Sequence, residues 1–210
     1  MNRTDLVITL CGAGTLGANL AENLARLEVG RLRVVDRDRV ERRNLSNQPF
    51  STQHVGQPKT KALSELLFRA VGATVATVQQ DLTAGNGAKL LAGSALVIDC
   101  FDNTLSRAAV QRGCREAGIP CLHAGLSPSG YGEVIWDERY RVPEARGDDA
   151  CELPLVRTLS LLVVAMATQS VMGWMADGVR ADYSVTLADL CIERLHLPLL
   201  ADARGSFGSR

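Results

Sequence analysis

Aromatic residues are scarce in this sequence, at 4% of 210 positions. Few platforms are left on which nucleobases could stack, which argues against single-stranded nucleic acid as a partner. An excess of one charge sign is also absent. The 23 Lys and Arg balance 23 Asp and Glu, so no nucleic acid and no membrane is expected as the main partner. Cysteines stand at 11, 100, 114, 121, 151 and 191, and none forms a CxxC. That spacing excludes the usual paired zinc motifs, so no zinc is expected, and it is no disulfide framework. No cleavable leader is expected, since MNRTDLVITL runs into a glycine turn, and a cytoplasmic protein is expected. One long uncharged run exists, LSLLVVAMATQSVMGWMA (159–176). A membrane span must be weighed at that length. Thr168, Gln169, Ser170 and Gly173 dilute it, and no second span or basic anchor accompanies it. The reading is a helix buried in the core and in a dimer interface.

What is present is organised around Val7–Gly17, VITLCGAGTLG. An apolar run over 6–10 reads as a buried strand. It enters the GxGxxG of Gly12, Gly14 and Gly17, and an amphipathic helix over 15–28 follows. Strand, glycine turn and helix form the nucleotide-binding opening of a doubly wound sheet. Gly12 permits the tight turn, Gly14 lets backbone N–H groups approach a phosphate, and Gly17 lets the helix pack close. The helix N-terminus offers free N–H donors and partial positive charge. A second strand, 32–36, ends in Asp36, about 20 residues after the glycines, where a ribose-binding acid is expected. The motif itself leaves NAD and ATP both open.

The rest of the chain reads as one α/β domain over 1–202 with a frayed tail at 203–210. Residues 37–58 are polar and rich in turn formers, a long loop with one short helical turn. A helix is expected over 58–70, a strand at 74–78, a helix at 84–92, a strand at 95–99, a helix at 104–117 and a strand at 119–123. An antiparallel strand follows at 131–136, then a charged crossover loop to 154, the apolar helix 158–176, and two short strands within 184–197. The expected fold is Rossmann-like: a mostly parallel, doubly wound sheet with antiparallel C-terminal strands.

Further features recur in order. Lys59 sits in the first turn of a helix after Val55-Gly56-Gln57-Pro58, and Asp102 follows a strand in Asp99-Cys100-Phe101-Asp102-Asn103. In open parallel sheets ligands bind at the carboxyl ends of strands, which puts Gly12–Gly17, Asp36 and Asp102 on one rim. A lysine near phosphates and an acid able to hold Mg²⁺ suit phosphoryl chemistry. A nicotinamide enzyme needs neither. Singly, Lys59 could be a solvated helix residue and Asp102 a cap.

The strings GAGTLG, VVDRDRVERRNLSNQ, VGQPK and VIDCFDN resemble the ThiF/MoeB/HesA group of the ubiquitin-activating-enzyme superfamily, in its small bacterial form. The resemblance extends to the last strands. It implies an ATP-dependent adenylyltransferase acting on the C-terminal carboxylate of a ubiquitin-like or sulfur-carrier protein with a C-terminal Gly. It also implies ATP and Mg²⁺, and the apolar helix 158–176 adds the expectation of a homodimer. By resemblance Gly12, Gly14 and Gly17 approach the phosphates and Asp36 the ribose. Asn44, Gln48 and Lys59 hold phosphates, Asp102 binds Mg²⁺, and residues around Asp81 and Leu82 flank the adenine. Cys151 falls near where some relatives form a thioester or persulfide, beside the plainer reading of an ordinary cysteine.

The sequence departs from that pattern at Asn47, where NxxRQ carries arginine. The family's arginine-bearing N-terminal arm is matched only by Arg3. Arg42 or Arg43 could supply the missing charge, as could a second activating-enzyme subunit. Two alternatives therefore stand beside the adenylyltransferase: a catalytically reduced partner subunit of a heteromeric enzyme, and an NAD-dependent oxidoreductase.

Overall fold

The computed structural model describes residues 5–144 and 156–195. Arg3, Cys151, most of the crossover loop and the C-terminal tail lie outside them. Eight strands form one sheet in the order β3-β2-β1-β4-β5-β6-β7-β8. They are β1 Val7–Cys11, β2 Arg31–Val35, β3 Ala76–Val78, β4 Leu96–Asp99, β5 Cys121–Leu126, β6 Tyr131–Trp136, β7 Asp182–Thr186 and β8 Cys191–Leu195. β1 pairs in parallel with both β2 and β4, and β2–β3 and β4–β5 are parallel. From β5 to β8 every pairing is antiparallel. The expected mixed sheet is present. Its order reverses at β1, which opens a crevice at the carboxyl ends of β1 and β4.

Among the described residues five helices flank the sheet: α1 Thr15–Arg26, α2 Lys59–Val71, α3 Gly87–Leu91, α4 Thr104–Ala117 and α5 Val156–Asp177. Alternation along the central strands divides the core in two. Ile8, Leu10, Leu96 and Ile98 face a large cluster that includes residues of α1, α2 and α5. Cys11 and Val97 face a smaller one with Leu91, Val110 and Cys114. Strands buried on both faces are why these segments read as unbroken apolar runs. α3 is shorter than its expected span, because Thr83–Asn86 form a turn held by Asn86 Oδ1, which accepts from the Thr83 N–H at 2.8 Å. The long loop contains two 3₁₀ turns, Arg42–Ser46 and Thr52–His54. His54 is buried and its Nδ1 accepts from the Ser51 N–H at 3.0 Å, so it caps its own turn.

α5 is long and apolar enough to cross a membrane by length and composition, yet half of that window is buried in the fold. Leu159, Val163, Val164, Met166, Ala167 and Val171 pack into the large cluster. Its exposed stripe, Thr158, Leu161, Ala165, Gln169 and Ala176, holds one large apolar residue, Leu161. The apolar excess that suggested a dimer interface is thus covered mainly by α1 and strands β5–β7 of the same chain.

Gly17 sits where α1 crosses the turn. A Cβ there would lie 1.9 Å from the Gly12 carbonyl oxygen. Backbone cannot move aside as a flexible side chain would. Gly17→Ala is expected to lower unfolding free energy by about 3 kcal/mol, measured as the shift of the urea midpoint at constant m-value.

Candidate active site

The crevice at β1 and β4 is built by the expected segments. A cleft there is lined by Gly12, Gly14, Asp36, Lys59, Asp81 and Asp102, among others. It shares Gly14, Lys59 and Asp102 with a groove of about 1590 Å³. That exceeds the roughly 300–1,000 Å³ of a small-ligand pocket, leaving room for a nucleotide and an extended peptide together. The groove runs past Arg42, Asn44, Asn47 and Gln48 to Gly125–Ser129 and Glu133 near the β5–β6 turn.

Gly12 has φ +101°, a conformation that strains other residues, and its N–H donates to the Val35 carbonyl at 2.8 Å. At Gly14 a Cβ would have no neighbour within 4 Å. The free N-terminal turn of α1 therefore faces open space, as an anion site requires. Asp36 closes the turn from β2. Its carboxylate accepts from the Ala13 N–H at 2.6 Å and the Asp38 N–H at 2.7 Å. Burial pushes its pKa up, opposed by those two N–H groups and by Lys59. Each oxygen keeps a lone pair for a ligand hydroxyl.

Lys59 is 8% exposed, and its Nζ lies 3.1 Å from Asp38 Oδ2. Its backbone N–H donates to the Asp38 carbonyl at 2.9 Å, which fixes the first turn of α2 against the end of β2. Asp102 is exposed on the rim, one residue before Asn103, whose side chain caps α4 by accepting from the Ser106 N–H. The helix cap is thus Asn103, and Asp102 is left to the cleft. Asn44 Oδ1 accepts from the Glu41 N–H at 2.8 Å, so it also shapes its 3₁₀ turn. The Asn47 carbonyl accepts from Asn19 Nδ2 at 2.9 Å and from Arg157 at 3.0 Å, tying this loop to α1 and α5. Arg42 and Arg43 both line the groove, Arg43 also pairing with Glu41 at 2.8 Å.

Leu82 is 1% exposed and packs in the smaller core cluster. Gln80 and Asp81 line the cleft in its place, and Asp81 pairs with Arg37 at 3.0 Å. His123 is also buried. Its Nδ1 lies 2.9 Å from Asp99 Oδ2 and its Nε2 3.3 Å from Asp137 Oδ1. Its ring stacks on Tyr140 at 3.8 Å between centroids.

Arg107 and Tyr140 of this buried array line the groove, and most of the array was not singled out in the sequence. Arg107, 7% exposed, donates to the Tyr140 hydroxyl and the Ala124 carbonyl, each at 2.8 Å. It also faces Asp99 at 3.8 Å. Burial raises the Tyr140 hydroxyl pKa to about 12. A signal existed: Arg107, Val110 and Cys114 share one helical stripe, so a charge lay on the buried face of α4. Asp137 pins the array to the surface through Arg115 at 2.7 Å. Burial pushes its pKa up, but hydrogen bonds from His123, Arg115 and Gln111 outweigh this and lower it. A carboxylate depressed on folding contributes stability above its unfolded pKa, near pH 4. That stability is lost as pH falls through the lower folded value. Asp137→Asn should therefore destabilise the protein at pH 7 and flatten its acid-unfolding profile below pH 4, as urea midpoints across pH would record.

Among the described residues no group of three or more His, Cys, Asp or Glu could hold a metal. The donor set suits Mg²⁺, which takes one or two carboxylates and completes its shell with phosphates and water. Asp38 and Asp102 both line cleft and groove, and Asp38 is already paired with Lys59.

A profile of the ThiF family matches residues 4–175. The chain is 35% identical over 122 residues to the SAMP-activating enzyme E1 of Haloferax volcanii, covering 57% of this chain and 45% of that protein. It is 34% identical over 120 residues to the molybdopterin-synthase adenylyltransferase of Salmonella typhimurium, covering 56% and 48%. It is 30% identical over 169 residues to ubiquitin-like modifier-activating enzyme 5 of Oryza sativa, covering 72% and 39%. The chain thus spans less than half the length of each of these relatives. Among solved structures, E. coli MccB with SeMet MccA superposes with a TM-score of 0.78 at 15% identity, covering 94% of this chain and 65% of that one. That likeness concerns the fold. With the glycine turn, Asp36, Lys59 and Asp102 brought to one rim and the profile spanning most of the sequence, the chain belongs to the ThiF family.

Proposed function

We propose that this chain is an ATP- and Mg²⁺-dependent adenylyltransferase that activates the C-terminal carboxylate of a ubiquitin-like or sulfur-carrier protein. One observation carries the reading: a single groove joins the glycine turn, Lys59 and Asp102 to the β5–β6 turn. Nucleotide and peptide tail can meet there end to end. Relatives named as a molybdopterin-synthase adenylyltransferase and a ThiS adenylyltransferase support it.

The chemistry is attack by a carboxylate oxygen on the α-phosphorus. An O–P bond forms, the bond to the β-phosphate oxygen breaks, and its electron pair leaves with pyrophosphate. No side-chain nucleophile or base is required. The chain must align two anions and offset their repulsion. The α1 N-terminus and Lys59 are placed to do so, and Asp36 fixes the ribose. Asp102 would hold Mg²⁺, which neutralises phosphate charge when bound.

A second reading is a partner subunit that needs another chain for activity. Asn47, standing where the family pattern has arginine, favours it. Arg42 and Arg43 in the groove favour the first. Calorimetry on the purified chain tests the nucleotide. Mg·ATP is expected to bind, more weakly in Asp102→Ala, and NAD is not. NAD binding without ATP binding would overturn the adenylation reading, and turnover only with a second subunit would select the alternative.

A further inference from the structure

At the head of α1 two residues that line the groove each carry a buried polar atom without a hydrogen-bond partner among the described residues. These atoms are Thr15 Oγ1 and Gln48 Oε1. Their residues are 5% and 6% exposed. A buried hydroxyl without a partner costs roughly 1–3 kcal/mol, so a fold does not gather such groups without a use for them. The backbone beside them is tightly held. Asn19 Nδ2 bridges the Thr15 carbonyl at 2.6 Å and the Asn47 carbonyl at 2.9 Å, and Arg157 adds its bond to the latter. The hydroxyl is thus on the fixed first turn of a 12-residue helix, and Thr15 lines the same groove as Lys59.

We propose that Thr15 is a phosphate ligand, its hydroxyl donating to a phosphate oxygen of the bound nucleotide. This rests on the adenylation reading and adds a contact to it. An anion at this point would accept from Thr15 Oγ1 and from the helix N-terminus together. Gln48 can turn its amide to present N–H to the same anion. The arrangement makes up part of the positive charge absent at Asn47 by hydrogen bonding in a desolvated corner.

Thr15→Val tests this, because it removes the hydroxyl and keeps the shape. Without nucleotide the variant should melt at the same temperature as wild type or higher, since an unsatisfied buried group has gone. Its affinity for Mg·ATP should fall about tenfold by calorimetry. Adenosine, which lacks phosphate, should bind both proteins equally, and Thr15→Ser should restore ATP affinity. A structural hydroxyl would behave oppositely, with a lower melting temperature and unchanged ATP affinity once folded. Unaltered Mg·ATP binding by a folded Thr15→Val overturns the assignment and leaves adenylation standing. Failure of wild type to bind Mg·ATP overturns both.

Discussion

Lys59→Ala should lower carrier-dependent adenylate formation by about 10²–10³-fold while leaving the fold intact. The two halves of that expectation have separate grounds. Lys59 is almost fully buried at the shared rim of cleft and groove, so its ammonium acts in a site where water screens little. In the free protein its partner is Asp38, whose side chain is 54% exposed. Such a pair contributes little to stability, so its removal should cost less than about 1 kcal/mol. Lys59→Arg would keep the charge but not the compact single point of it, and should recover only part of the rate. Pyrophosphate exchange and a urea titration on the same preparations measure both. Unchanged exchange in Lys59→Ala would remove this residue from the mechanism.

Arg107→Ala should have the largest effect on stability, on the order of 3–5 kcal/mol. Asp99 is fully buried at the carboxyl end of β4, and it relies on Arg107 and His123 for compensation. Truncation also strips a donor from the Ala124 carbonyl and from Tyr140. The loss is a large share of the 5–15 kcal/mol that holds a typical domain together. Arg107→Lys should recover part of it, because one ammonium cannot serve three acceptors in the guanidinium geometry. Denaturant midpoints decide the matter, and a shift worth under 1 kcal/mol would mean that His123 alone suffices for Asp99.

These two residues differ in how visible they are in sequence. Lys59 follows a Gly-Gln-Pro turn, and local rules place it in the first turn of a helix. The strands are equally plain, because burial on both sheet faces leaves continuous apolar runs. Arg107 lies within an ordinary-looking amphipathic helix, and its partners Asp99, Ala124 and Tyr140 come from three other segments. Only tertiary contact brings them together. His123, near a strand end, is buried with Tyr140 stacked over its ring, which the sequence does not show. The burial of Leu82 likewise depends on the fold. Asp81 and Leu82 are adjacent, and which one faces the cleft depends on how the chain leaves β3. Thr15 was legible as part of the glycine motif, yet its unpartnered hydroxyl emerges only when its surroundings are known.

The central claim is that one groove brings a nucleotide phosphate and a peptide carboxylate together. Its most direct measurement is exchange of labelled pyrophosphate into ATP by the purified chain, with and without a carrier protein ending in Gly. The account predicts exchange that requires Mg²⁺ and a free C-terminal carboxylate, and that is lost when the carrier's terminal Gly is removed or amidated. Exchange that proceeds equally with an amidated carrier, or Mg·ATP binding with no exchange for any Gly-terminated carrier even when a second activating subunit is supplied, would contradict it.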